Sequence, residues 1–217
     1  MLRRDYLVRM IEEMTEMLGK VFDLKQQKKT VEALWELDEL YQRQFRLNAA
    51  LLGSLSMKDI TDLFRNGETI EADKLQSLAR LLKEEGEVYE LSGAGDEGIL
   101  RFMKALHLYL VSSLYGGDAS LWNIDDEIRE LLNVLRGYQL NVDTEQLLLR
   151  YEESKGHFDL AENALFRLLK SGEASKEEGI AFYGRLLLLD PMRLEQGGLP
   201  LDEVKEGLEE VNRDYNN

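Results

Sequence analysis

The residues best suited to acid–base or metal chemistry are the two histidines, His107 and His157. Metal sites on helices need a second ligand on the same face, one turn away. Neither histidine has one downstream: His107 has Val111 four residues on, and His157 has Ala161. Packing or surface roles suit both better than ligation. Glu12-Glu13, Asp125-Asp126-Glu127 and Glu177-Glu178 supply carboxylates, but none sits in the D-x-D-x-D-G spacing of a calcium loop. Each reads as the start or the solvated face of a helix. Ser92-Gly93-Ala94-Gly95 has the small residues of a phosphate cradle without the preceding strand that such cradles use. No nucleophile or base stands out, so the expectation is a non-catalytic protein that needs no cofactor and no metal.

The elements that carry these residues are helices. Leucine is abundant, proline occurs twice, and β-branched residues do not cluster. Leu78, Leu81, Leu82, Glu85 and Tyr89 share one helical face, Gly93 and Gly95 interrupt it, and Ile99, Phe102, Met103, Leu106 and Leu110 restart it. A short glycine corner between two such helices makes them antiparallel neighbours. Gly86 and Gly98 sit inside the two helices, where each costs about 1 kcal/mol relative to alanine. That cost implies backbones too close to admit a Cβ.

This pattern resembles the tetratricopeptide repeat, W-x2-L-G-x2-Y followed by A-x3-F and P. Leu82 stands at the Trp position, Gly86 at Gly, Tyr89 at Tyr, Gly98 at Ala and Phe102 at Phe. Glu85 replaces the Leu and Leu110 the Pro. A second match has Leu148, Gly156, Phe158, Ala161 and Leu165; a third has Leu18, Gly19 and Phe22, then Val31 and Trp35. The whole chain is also similar to an uncharacterised family of bacterial helical proteins, a likeness that brings no activity with it. The repeat resemblance implies an all-α, right-handed stack of antiparallel helix hairpins, an α-solenoid, with about nine or ten helices in a single domain over 1–217. Within it, 1–67 holds the N-terminal helices, 70–115 the central hairpin, 120–190 the second motif region and 199–215 a capping helix. It also implies a groove lined by the first helix of each hairpin: Arg80, Lys83, Glu87 and Glu90 in the central unit, Lys20 and Asp23 before it, and Gln146, Arg150 and Glu153 after it. Glu87 and Glu90 stand where the family's clamp for a C-terminal carboxylate has Asn, which argues against that clamp.

Residues 3–25 read as a first helix, with Leu7, Met10, Met14, Met17, Val21 and Leu24 in an a/d seam. That seam serves either a homodimer or Met-rich docking surface, or burial within the chain's own fold. A second helix reads over 28–52 with Val31, Leu34, Trp35, Leu37, Asp38 and Tyr41 on its face. Ser56 reads as a helix N-cap, and Asn66-Gly67 as a helix stop. Gly116–Ser120 reads as a loop between layers. Asp143 reads as an N-cap, Ser175 with Glu178 as a capping box, and Pro200 as the first turn of a last helix whose stripe is Leu201, Val204, Leu208 and Val211.

The formal net charge is −15 and the isoelectric point about 4.7, which disfavours nucleic acid and anionic membrane surfaces. Cysteine is absent, no apolar run reaches the roughly 20 residues of a bilayer span, and the start lacks the uninterrupted apolar core of a signal peptide. The expected location is the cytoplasm. The preferred expectation is a helical module that binds a protein or peptide. The alternative is a self-associating structural or regulatory protein, paired through its first or last helix, and a small-molecule sensor or enzyme comes last.

Overall fold

The structure, a computed structural model, describes residues 2–214, with side chains from 6 to 213. Twelve helices and one minimal β-hairpin make up the described residues, in two compact units, 1–138 and 139–217. The chain is all-helical, as expected. The excess over nine or ten helices has two local causes. The expected 28–52 helix breaks at Arg46, which is left-handed (φ 57°), and Pro191 opens a short helix of its own.

In the first unit, α1 (Leu2–Gln26) and α2 (Thr30–Phe45) pair, followed by the short α3 (Ala49–Ser54) and α4 (Met57–Leu63). Ser56 caps α4 in a reciprocal capping box with Asp59. Asn66-Gly67 does not stop a helix; it turns a hairpin of β1 (Arg65–Asn66) and β2 (Thr69–Ile70), with Gly67 at φ 62°. The centre of the unit is α5 (Ala72–Ser92), buried on nearly every side from Ala72 to Val88. A helix covered all round is a core element. Gly93, left-handed at φ 83°, turns the chain into α6 (Gly95–Leu114), which lies antiparallel along α5. A Cβ on Gly86 would sit 2.5 Å from Phe102 Cε1, and one on Gly98 would sit 2.9 Å from the Gly86 carbonyl oxygen. The two mid-helix glycines therefore permit the close crossing that their cost implied. Helix α7 (Ile124–Val134), grouped by sequence with the second motif region, packs on α6 in this unit, and the Gly116–Ser120 loop joins them.

Two further sequence expectations fail in this unit. The buried face of α2 is Ala33, Leu37, Leu40 and Tyr41, while Val31 and Trp35 point to solvent. The third repeat match fails with them: Phe22 is exposed and Gly19 faces open space. The methionine seam is consumed internally, since Met10 and Met14 are fully buried where α1 packs on α2 and α5.

In the second unit, α8 (Val142–Lys155) and α9 (Phe158–Ser171) form a hairpin through left-handed Gly156. Asn141, not Asp143, caps α8 by accepting from the Thr144 amide. Helix α10 (Lys176–Leu186) starts with the expected Ser175–Glu178 capping box, α11 (Pro191–Gln196) follows, and α12 (Leu201–Asp214) packs back on α10. Pro200 precedes α12, its carbonyl accepting the Val204 amide. Val204 and Val211, from the stripe expected to cap a stack, are buried within the unit. The Gly197 carbonyl accepts the amides of Phe158 (2.8 Å) and Asp159 (3.2 Å), capping α9 from a distant loop. A Cβ on Gly197 would meet the Phe158 ring at 2.3 Å, so only glycine seats this loop.

Candidate functional site

The α5 side chains expected to line a groove are already engaged inside the first unit. Arg80 donates to Glu127 of α7 (2.7 Å) and also pairs with Glu84. Lys83 donates to Glu127 (2.7 Å) and Glu130 (2.6 Å). Lys25 of α1 donates to Glu84 (2.7 Å) and to Glu87. Burial alone would lower the Lys25 and Lys83 ammonium groups, but their glutamates outweigh it and hold both above the ordinary value. The face is a charge ladder joining α1, α5 and α7, and Glu127, expected on a solvated face, is one of its inner rungs. Glu90 is exposed beside Gly98, and Lys20 pairs with Glu36 at 2.5 Å on the surface.

Behind the ladder is a polar core that sequence reading placed only as a departure from the repeat. Glu85 is wholly buried; the Tyr41 hydroxyl donates to it at 2.8 Å and Arg101 Nε at 3.0 Å. Burial pushes the Glu85 carboxyl up, against the opposing pull of Arg101. Lys104 donates to the carbonyls of Leu52 (2.6 Å), Gly53 (2.8 Å) and Leu55 (2.8 Å), pinning α6 to the C-terminus of α3, the negative end of that helix. Burial lowers its pKa, and the neighbouring Arg101 lowers it further. These groups position helices.

His107 is buried. His157 is exposed, and its Nδ1 lies 2.7 Å from Glu152 Oε2. The spacing rule missed this pair because it spans the α8 C-terminus, where the corner brings a residue five positions away into reach. No cluster of three His, Asp or Glu suited to a metal occurs among the described residues.

Open surface with convergent chemistry lies in the second unit. A cleft of about 300 Å³ runs between α8, α9 and α10. Its floor is apolar, with Leu149, Leu165, Leu168, Ala181 and Phe182. Gln146 and Arg150, one turn apart on α8, stand at the rim opposite Glu178 and Arg185 of α10. Arg185 lies over the Phe182 ring at 5.9 Å and is held by a two-point pair with Glu153, at 2.7 and 2.8 Å. Arg150 has no ion-pair partner among the described residues. Of the groove residues expected from sequence, Gln146 and Arg150 line the cleft, and Glu153 reaches it only through its pair with Arg185; Arg80, Lys83 and Glu87 meet in the ladder; Lys20, Asp23 and Glu90 join neither.

The match to known families covers residues 1–216. The chain belongs to DUF6483, a family of unknown function. No curated protein and no solved structure matches it. No described helix is long and apolar enough to cross a membrane.

Proposed function

We propose that this protein is a non-catalytic binding module of tetratricopeptide-like character. Its second unit takes up a peptide segment in the α8–α10 cleft. The observation that carries this reading is Arg150: an unpaired guanidinium beside Gln146, over a floor of leucines and Phe182. An unpaired guanidinium favours a carboxylate, which it holds in two-point geometry, and the floor favours a leucine-sized side chain. The fitting partner is a protein segment with a bulky apolar residue next to an acidic one. The hairpin α8/α9, with the next helix α10 facing α8 across the cleft, supports the repeat-like reading of this unit. Absence of cysteine suits a reducing cytoplasm.

The test is calorimetry of the full chain with synthetic twelve-residue peptides bearing leucines one turn apart and an aspartate between them. Binding in the micromolar range, about −8 kcal/mol, is expected. Arg150→Ala weakens it about tenfold, equivalent to about 1.4 kcal/mol. Ala181→Trp, which fills the cleft from an exposed position, abolishes it. Undiminished binding by the Ala181→Trp chain sinks the proposal.

A further inference from the structure

The same unit that carries the cleft also presents an apolar knob. Leu188 is 87% exposed and Met192 is 66% exposed, at the corner between α10 and α11. Scattered exposed apolar residues are ordinary; these two are distinguished by their rigidity and by what lies between them. The corner is tied down by backbone bonds from Leu187 to Tyr183, Leu188 to Arg185 and Leu189 to Leu186. Asp190 caps α11, its Oδ1 accepting the Met192 amide at 2.8 Å, and Pro191 fixes the first helical position. A preordered protrusion loses little conformational freedom on docking. Asp190 Oδ2 has no partner among the described residues. The corner thus offers apolar–carboxylate–apolar chemistry, complementary to the cleft's apolar floor and unpaired Arg150.

We infer that the partner of the cleft is a second copy of this chain. The α10–α11 corner of one copy enters the cleft of the other, with Leu188 and Met192 on the floor and Asp190 against Arg150. This rests on the cleft reading above and names its occupant. Because corner and cleft wall are both built on α10, a two-fold axis makes the contact reciprocal and closes the assembly at two. The stripes of α1 and α12, where sequence suggested pairing, are packed inside their own units.

Sedimentation of the full chain over a wide concentration range tests this. The mass rises toward twice that of one chain. Leu188→Glu and Arg150→Glu each raise the dissociation constant at least about thirtyfold, as expected when one member of a docked pair is lost. Both positions are exposed, so melting temperature and helicity stay unchanged. Mixing the two variants recovers part of the association, because one of the two reciprocal contacts then joins an intact corner to an intact cleft while the other carries both substitutions. A synthetic peptide of residues 186–197 competes with the dimer. A chain that stays monomeric at all concentrations while the leucine–aspartate peptides still bind overturns this inference and leaves the cleft reading standing. Association that neither substitution weakens also overturns it.

Discussion

Glu85 and Arg101 face each other across the α5–α6 hairpin, carboxylate Oε1 to guanidinium Nε at 3.0 Å, with 0% and 8% of their side chains exposed. The pair occupies a position where the repeat pattern has leucine. Removing one partner of a buried pair strands the other's charge, at about 3–5 kcal/mol. Arg101→Met alone therefore lowers the urea midpoint sharply. Glu85→Leu with Arg101→Met recovers most of the loss, since apolar replacements of a whole pair are often neutral. Urea titration of the two single variants and the double variant measures this.

The same carboxyl gives a pH signature. Its folded pKa is raised by burial, so between the ordinary glutamate range and that raised value the folded chain binds more protons than the unfolded one. Stability contributed by Glu85 thus grows as pH falls from neutral toward 4.5 and shrinks as pH rises. The stability difference between the wild type and Glu85→Gln widens in favour of the wild type on acidification. Denaturant midpoints at pH 7 and pH 5 read this out; a difference that narrows contradicts it.

Two glycines predict opposite signs for one substitution. Gly86→Ala drives a methyl into the Phe102 ring, 2.5 Å away, and costs about 1–3 kcal/mol. Phe102→Leu in the same chain relieves part of that. Gly19→Ala meets nothing within 4 Å on an exposed part of α1 and stabilises by up to about 1 kcal/mol. Thermal melts of the two variants shift in opposite directions.

The Tyr109 hydroxyl is buried with no hydrogen-bond partner among the described residues. An unsatisfied buried polar group costs about 1–3 kcal/mol. Tyr109→Phe, which removes only that oxygen, raises stability by about 1 kcal/mol. A lower denaturant midpoint contradicts this.

Sequence alone reached what is local. The Gly93 corner, the Ser56 and Ser175 caps and the tight crossing at Gly86 and Gly98 depend on residues close in the chain, or on a cost that only contact explains. The face of α2 was misassigned because Val31 and Trp35 complete an apolar row as well as Leu40 does. Only the position of α5 decides between the rows. Arg80, Lys83 and Glu87 read as surface residues because buried charges need partners, and theirs arrive from α1 and α7. At the cleft, the α8 side was legible through the repeat resemblance. The opposite wall, Ala181, Phe182 and Arg185, needed the packing of α10 to appear.

The central claim, that the working surface is the α8–α10 cleft, is tested most directly by hydrogen exchange of the full-length Leu188→Glu chain, whose cleft no second copy fills, with and without a leucine–aspartate peptide. Slowed exchange confined to the amides of α8 and α10, and lost in the Ala181→Trp chain, is the predicted result. Protection spread along α5, or none anywhere, contradicts it.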